Sequence, residues 1–140
     1  MDTSIIDIKT TIRGSVPRIA FEDIARAILG SSYELSLVIC GDDLARRMYL
    51  EHRKYAVKGL RPTSKTYASN VLSFPLSDTE GEIFLNIRKA EREARQLGTT
   101  PRDRLAYLFI HGCFHLKGLD HSDTMEAAEA RIMKRFSSSK

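Results

Sequence analysis

Short runs of apolar and β-branched residues predict four β-strands along the chain. The first lies in the opening ten residues, around Ile5, Ile6 and Ile8, and the second covers residues 33–40. The third covers residues 71–75, where we expect the proline to end the strand. The fourth covers residues 82–87, with Gly81 in the connection that precedes it.

Apolar residues at helical spacing predict two helices in the first half of the chain. One of them is marked by Ile19, Ile24, Ala27 and Ile28, with Gly30 as its stop signal. The other has Asp42 or Asp43 as its N-cap and runs toward Tyr55. Residues 58–65 then contain glycine, proline and three basic residues, and they predict an exposed loop.

Three more helices are predicted in the second half. The first passes through Ala90 and Ala94 to Gly98. The second has the clearest limits, because its N-cap, first turn and stop carry the residue types that those positions favour: Thr100, Pro101, Asp103 and Gly118. The last helix starts near Ser122 or Asp123, and its apolar side is marked by Ala127, Ala130, Ile132 and Met133.

The mixed order of strands and helices, without a repeat or a linker, favours a single domain of the α/β or α+β class over residues 1–140, and we predict α+β. We expect a small mixed β-sheet packed with helices. Cys40 and Cys113 are too few for a disulfide framework, so both are expected to be free thiols. No apolar run approaches the ~18 residues of a membrane span. No signal peptide is recognisable either, and we therefore expect a cytoplasmic protein that binds no membrane.

Three of the four histidines, His111, His115 and His121, cluster near the end of the long fourth helix. Residues 111 and 115 lie roughly 40° apart around a helix axis, so both imidazoles point the same way. Gly118 allows the left-handed conformation that turns the chain and brings His121 toward the same ion. Three histidines without a fourth protein ligand leave a position for water, which is typical of catalytic zinc. We expect one Zn²⁺ per chain and no small-molecule cofactor.

The spacing H-x-x-x-H-x-x-G-x-x-H is that of the metzincin peptidases, with one change. Gly112 stands where those enzymes carry their general-base glutamate. A glycine cannot accept a proton from water at the metal. Peptidase chemistry is therefore disfavoured, although the ligand scaffold is present.

Other residues near the cluster leave alternatives open. Cys113 is interpreted as a small core residue on the opposite side of the helix, although zinc also accepts thiolates. Asp120 fits equally well an acceptor that orients a ligand imidazole and an ordinary turn residue. His52, the fourth histidine, lies in a charged helix and is interpreted as an exposed residue.

Residues 111–121, HGCFHLKGLDH, resemble the H-G-x-x-H-L-x-G-x-D-H signature of the YbeY family of bacterial rRNA-maturation endoribonucleases. Upstream, residues 69–75, SNVLSFP, are similar to that family's T-[DN]-V-L-S-F-P segment, and residues 81–83, GEI, to its G-D-I. The matches occur in the family's order. The resemblance implies a metalloprotease-like fold in which the helix with the three histidines packs on a small mixed sheet.

The resemblance also implies a function and a set of site residues. The function is a cytoplasmic, zinc-dependent endoribonuclease that acts on single-stranded RNA, in 3′-end maturation of 16S rRNA and ribosome quality control, with the small ribosomal subunit as partner. His111, His115 and His121 take the zinc positions. Arg53 best matches the family's active-site arginine, which would hold a phosphate and stabilise developing charge. Arg46 and Arg47 lie nearby as rivals, and an ordinary exposed helix arginine is the plain alternative.

The chain departs from the family pattern at several positions, none of which removes a ligand. Residues 58–67 look longer than usual and add Lys58, Arg61 and Lys65, which suit either an RNA contact or a solvated loop. Lys117 replaces an apolar residue, and it fits either a phosphate contact or a solvated helix end.

Two functions remain as hypotheses. In the first, the protein is a zinc endoribonuclease whose metal polarises a phosphoryl oxygen or activates water. In the second, it is a ribosome-assembly factor that binds RNA and whose zinc is mainly structural. The formal net charge of +4 suits a polyanionic partner such as RNA in both cases, although many enzymes are equally basic.

Overall fold

A computed structural model describes residues 5–52, 66–118 and 123–137, and these ranges contain four strands and five helices. In chain order the elements are β1 (Ile5–Thr10), α1 (Phe21–Leu29), β2 (Glu34–Cys40), α2 (Asp42–His52), β3 (Val71–Ser77), β4 (Glu80–Asn86), α3 (Ile87–Leu97), α4 (Pro101–Leu116) and α5 (Asp123–Ser137). The predicted α+β class is confirmed. Within the same ranges, no helix combines the length and the apolar composition that crossing a lipid bilayer requires.

The four strands form one mixed sheet in the order β1-β2-β4-β3. β1, β2 and β4 are parallel, and β3 runs antiparallel to β4. Leu37 and Ile83 are fully buried on the face that packs against α1, α3, α4 and α5. Val38 and Phe84 lie on the other face and pack against α2. β2 and β4 therefore have apolar side chains on both faces of the sheet, as expected for strands that are covered on two sides.

β3 and β4 differ from the sequence prediction at Pro75, at Gly81 and at Ile87, which begins α3 rather than ending β4. β3 does not end at Pro75 but continues to Ser77, with a register irregularity between these residues. The proline is tolerated because β3 is at the edge of the described sheet, where its missing N–H leaves no ladder bond unmade. Gly81 lies inside β4 rather than in the connection. A Cβ at Gly81 would lie 2.3 Å from Tyr33 Oη, so the position leaves no room for a side chain.

The helices follow the predicted order, but four local predictions were wrong. Ile19 precedes α1, which begins at Phe21. Ala27 is exposed, and the buried side of α1 is formed by Phe21, Ile24, Ala25 and Ile28. Ala127 and Ala130 are also exposed; the side of α5 that faces the protein consists of Met125, Ala128, Glu129, Ile132 and Met133. α2 begins at Asp42, and Ala45 N donates to Gly41 O, so Gly41 occupies the predicted cap position. The Asp42 carboxylate instead accepts hydrogen bonds from Arg92 and Asn86.

α4 is the central helix, and it contacts α1, α3, α5 and the strands β3 and β4. Its N-terminus is capped as predicted, because Thr100 Oγ1 accepts a hydrogen bond of 3.1 Å from Asp103 N. Gly118 follows its end with a φ of +93°, the left-handed conformation predicted there. Phe109 and Ile110 are fully buried, so the helix is fixed in rotation about its axis.

α4 approaches the sheet closely at Gly112. Ser73 Oγ donates a hydrogen bond of 2.9 Å to Gly112 O. A Cβ at Gly112 would lie 3.0 Å from Ser73 Oγ and 3.1 Å from Val71 Cγ2. The absence of a side chain therefore lets the helix lie directly against β3 and places its neighbour His111 beside the strand.

Candidate metal centre

The two histidines of α4 face each other in one partly buried place. His111 Nε2 and His115 Nε2 are 2.9 Å apart, and the two rings meet edge to face with centroids 4.5 Å apart. Both residues are partly buried, and the four-residue spacing on the helix puts them on the same side, as predicted. Two ring nitrogens thus converge on one point at the surface of α4.

A carboxylate from α5 fixes the orientation of His111. Glu129 Oε2 forms a short hydrogen bond with His111 Nδ1, and Glu129 Oε1 accepts a hydrogen bond of 3.3 Å from Tyr107 Oη. Glu129 is only 3% exposed, and a buried carboxylate is costly unless it is hydrogen-bonded. Because a carboxylate only accepts, Nδ1 of His111 is the donor in this contact, and Nε2 is the ring nitrogen that faces His115.

The pair lies on the wall of an open cleft of about 580 Å³. One wall is α4, along which Arg104, Tyr107, His111 and His115 follow one another; the other wall is formed by residues 70–73 at the start of β3. The Arg104 guanidinium lies 5.1 Å from the Tyr107 ring centroid, and the Tyr107 ring stacks on His111 at 6.0 Å. Burial, together with the Glu129 carboxylate, raises the pKa of the Tyr107 hydroxyl, which therefore stays protonated and donates.

The donor set fits two ligands of a tetrahedral zinc ion. Nitrogens bound to zinc at 2.0–2.1 Å in tetrahedral geometry are separated by roughly 3.3 Å. The observed separation of 2.9 Å between the two Nε2 atoms is within half an ångström of that value. A metal-bound imidazole usually donates its other ring N–H to a carboxylate or carbonyl oxygen, and the Glu129 carboxylate has that position at Nδ1 of His111. Among the residues whose side chains the structure describes, 6–51, 66–118 and 124–136, no third histidine, cysteine or acid completes a metal-binding group with this pair.

Cys113 is a core residue, as predicted. It is fully buried within the main hydrophobic core, and burial raises the pKa of its thiol. Cys40 is equally buried, and burial raises its pKa to about 12, with a smaller contribution from the nearby Asp42 charge. Both thiols are therefore protonated and shielded at neutral pH, which suits apolar packing rather than metal binding.

The remaining predicted site residues fall in two groups. Lys117 is exposed just beyond α4, where it lines a different hollow together with Tyr33 and Leu116. The others lie outside the described residues: Arg53, Lys58, Arg61, Lys65, Asp120 and His121. The structure therefore brings together His111 and His115 but leaves the third predicted ligand untested.

Two arginines of α2, Arg46 and Arg47, are the rivals to Arg53 as the active-site arginine. Arg46 donates to Thr66 O and pairs with Asp43, and both Arg46 and Arg47 line a hollow on the α2 side.

Three residues of the site were missed by sequence reasoning: Glu129, Tyr107 and Arg104. Glu129 carries a detectable signal, because it occupies an inward position between Met125 and Ile132 on an amphipathic helix. An acid at such a position needs a buried partner. Tyr107 precedes His111 by four residues and Arg104 by seven, so helical periodicity alone places both on the same side of α4.

Comparison with known proteins relates the whole chain to one family. The sequence model of the family described as Endoribonuclease YbeY matches residues 7–138. An Endoribonuclease YbeY of Neisseria meningitidis serogroup B is 32% identical over 117 residues, which are 72% of this chain and 63% of that protein. Another from Pseudomonas fluorescens is 40% identical over 79 residues, 51% of this chain and 52% of that relative. The chain thus spans between half and two thirds of the length of these relatives.

One solved structure has a similar fold. The solution structure of TM1509 from Thermotoga maritima superposes with a TM-score of 0.64 at 24% sequence identity. The superposition covers 93% of this chain and 87% of that one. The arrangement of strands and helices described above is therefore shared with an experimentally determined protein.

Proposed function

The chain belongs to the endoribonuclease YbeY family, and on that premise we propose that it is a zinc-dependent endoribonuclease that cleaves single-stranded RNA. The observation that carries the proposal is the convergence of His111 and His115 on one side of the cleft, with Glu129 bound to the far nitrogen of His111. As a finer proposal, the substrate is the 3′ region of 16S rRNA within the small ribosomal subunit, and the setting is cytoplasmic rRNA maturation and ribosome quality control.

The proposed zinc ligands are His111, His115 and His121. A zinc ion held there supplies a Lewis acid for a phosphoryl oxygen and lowers the pKa of a water molecule. Glu129 keeps the His111 ring in one orientation and one tautomer, so that Nε2 stays directed to the same point as Nε2 of His115. Gly112 contributes no acid or base, which disfavours the peptidase chemistry of the same ligand scaffold.

The shape and lining of the cleft support a single-stranded polymer as substrate. Its α4 wall extends from Arg104 to His115, about 16 Å along the helix axis at 1.5 Å per residue. The cleft is open, with amide, hydroxyl, guanidinium and imidazole groups along it. Phosphate contacts from Arg53, Lys58, Arg61 and Lys65 are part of the same proposal, with Lys117 as a further candidate.

The test is a cleavage assay on untagged protein whose zinc content has been measured. A labelled single-stranded RNA is incubated with the protein as purified, after chelation, and after zinc is restored. We expect about one zinc per chain, cleavage that chelation abolishes and zinc restores, and little cleavage of the same sequence in a duplex.

Two controls separate the alternatives. Lys117→Ala, an exposed change outside the histidine cleft, should leave zinc content unchanged, whereas His115→Ala should remove both zinc and cleavage. Zinc-independent cleavage of the same RNA would contradict the metal role. Tight RNA binding without cleavage at full zinc occupancy would favour the other function, an assembly factor whose zinc is structural.

A further inference from the structure

The cleft has a second polar end, away from the histidine pair, which is built around Arg104. Arg104 precedes His111 by seven residues on α4 and lines the same cleft. Its Nε donates a hydrogen bond of 3.0 Å to Glu93 Oε1, and its guanidinium carbon lies 5.1 Å from the Tyr107 ring centroid. These contacts come from α3 and α4, two helices that pack against each other.

Glu93 ties the two walls of the cleft together at this end. Besides Arg104, it accepts hydrogen bonds from Asn70 Nδ2, at 3.1 Å to Oε2 and 3.4 Å to Oε1. Asn70 in turn accepts from Asn86 N through its carbonyl, which fixes the start of the β3 wall. The Glu93 side chain is 18% exposed and that of Arg104 20%, so the group is mostly shielded from solvent.

Arg104 is therefore oriented before any ligand arrives. A guanidinium has five N–H donors, and the Glu93 contact uses the one on Nε. The two terminal amino groups keep the forked geometry that matches two oxygens of a phosphate. Because the side chain is already held by Glu93 and Tyr107, binding an anion costs less rotamer entropy than it would for a free surface arginine.

The distance to the histidine pair identifies the kind of ligand. Seven residues of helix place Arg104 about 10 Å from His111 along the axis of α4. A single phosphate group cannot contact both places, whereas an extended strand with one phosphate at the histidines has a neighbouring phosphate within reach of Arg104. We propose that Arg104 binds the phosphate of a nucleotide adjacent to the cleaved one, and so sets the register of single-stranded RNA in the cleft; this inference rests on the proposed endoribonuclease function.

The first test measures binding without cleavage. Fluorescence anisotropy of a labelled, non-cleavable analogue of a single-stranded RNA that keeps the phosphate charges compares the zinc-loaded parent protein with zinc-loaded Arg104→Gln across a salt series. We expect the variant to bind roughly 10-fold more weakly at low salt, because one charge-assisted contact is lost. The slope of log affinity against log salt should fall by about 0.7, the value for one phosphate on a single strand.

Arg102→Gln is the matched control. Arg102 lies on the same helix, and its Nε donates to Arg18 O, but it is not among the residues that line the cleft. Arg102→Gln removes one positive charge, as Arg104→Gln does, so a general electrostatic effect on RNA binding would appear in both variants. We expect the Arg102 variant to keep the parent's slope within error.

The second test uses substrate length to separate phosphate binding from a structural role. RNAs of increasing length are cleaved by the zinc-loaded parent, Arg104→Gln and Arg104→Lys. We expect kcat/KM of the parent to rise when the added nucleotide supplies the phosphate that reaches Arg104, and we expect Arg104→Gln to lose that rise. On shorter RNA the two should agree, and Arg104→Lys should recover part of the rise because it keeps the charge but not the fork.

Each outcome has a definite meaning. An unchanged salt slope, or a loss of the same factor at every RNA length, would overturn the role of Arg104 while leaving the endoribonuclease intact. A parent protein that neither binds nor cleaves single-stranded RNA would overturn both the proposed function and this inference. The melting temperatures of the variants, measured alongside, identify any loss that arises from misfolding.

Discussion

Glu129 and His111 lie on different helices, and the contact between them determines which ring nitrogen of His111 is available to a ligand. The Glu129 carboxylate accepts from Nδ1, and Nε2 lies 2.9 Å from Nε2 of His115. A carboxylate at the far nitrogen of a metal-binding imidazole holds its orientation and raises its basicity. Glu129 is therefore the residue outside the proposed ligand set whose replacement should affect zinc most directly.

We predict that Glu129→Gln lowers the zinc affinity by about 10- to 100-fold, because the glutamine can still accept from Nδ1 but carries no charge. Competition with a chromophoric chelator measures the affinity. Glu126→Gln on the same helix is the matched control, since Glu126 is exposed, and it should retain the parent's affinity. Equal affinities for all three proteins would mean that Glu129 does not support a metal ligand.

We predict that His115→Ala loses zinc, activity and the part of the stability that zinc supplies. Zinc stabilises the folded form in proportion to the logarithm of its concentration relative to its dissociation constant. The melting temperature of the parent should therefore rise with added zinc, and that of the variant should not. With chelator present the two melting temperatures should approach each other. Full activity with an unchanged zinc response would show that His115 is not a ligand.

We predict that Gly112→Ala destabilises the protein even though alanine is the better helix former. The alanine methyl group would approach Ser73 Oγ to 3.0 Å and Val71 Cγ2 to 3.1 Å, and overpacking of this kind costs about 1–3 kcal/mol. Helix propensity offsets about 1 kcal/mol of that cost. Denaturant unfolding measures the net effect, and adding Ser73→Ala should recover part of it. A more stable Gly112→Ala variant would show that β3 can move away from α4 at little cost in free energy.

We predict that Asp42→Asn destabilises the protein at neutral pH and that the difference disappears in acid. Hydrogen bonds from Arg92 and then Asn86 lower the pKa of Asp42 to about 2, against the opposing effect of burial. A carboxyl with a lowered pKa stabilises the fold above its unfolded value, near 4, and the contribution is lost as the pH falls through about 2.

Asp43→Asn is the control for this pH dependence. The Asp43 side chain is 98% exposed, and its ion pair with Arg46 is of the kind that contributes little. Denaturant unfolding at neutral pH and at several acidic values should therefore show a pH-dependent gap only for Asp42→Asn. A gap that is constant with pH would mean that the carboxylate charge is not what stabilises this contact.

We predict that replacing Lys58, Arg61 and Lys65 together by serine weakens RNA binding and flattens its salt dependence. Each lost phosphate contact on a single strand lowers the slope by roughly 0.7. Zinc content and melting temperature should be unchanged, because none of the three is a plausible ligand. Equal salt slopes for the parent and the triple variant would show that these three residues do not contact RNA.

Local signals in the sequence account for what could be predicted. The limits of α4 follow from Thr100, Pro101 and Gly118, whose preferences depend on neighbouring backbone alone. The orientation of His111 and His115 follows from helical periodicity in the same way. The spacing of Glu129 from Met125 and Ile132 is compatible with an inward position, but the exposed Ala127 and Ala130 satisfy an apolar pattern equally well. The burial of Glu129 depends on a partner in another helix, which no local pattern contains.

The sequence predictions for Gly81 and Pro75 were wrong for a related reason. Both residues usually interrupt strands, yet Gly81 lies within β4 because Tyr33 fills the space beside it, and Pro75 lies in β3 because that strand is at an edge. The neighbours that make these positions acceptable are distant in sequence. Strand limits were therefore less predictable than helix limits in this chain.

The contact of Gly112 with β3 constrains how this scaffold can change its chemistry during evolution or redesign. A side chain at position 112 would start toward Ser73, Val71 and Ile83, that is, into the sheet. A glutamate side chain at position 112 would overlap with these three side chains. A single substitution there therefore does not supply a peptidase-like general base. The helix would first have to move away from the strand, and a route between the two chemistries on this scaffold therefore passes through compensating changes in β3 and β4.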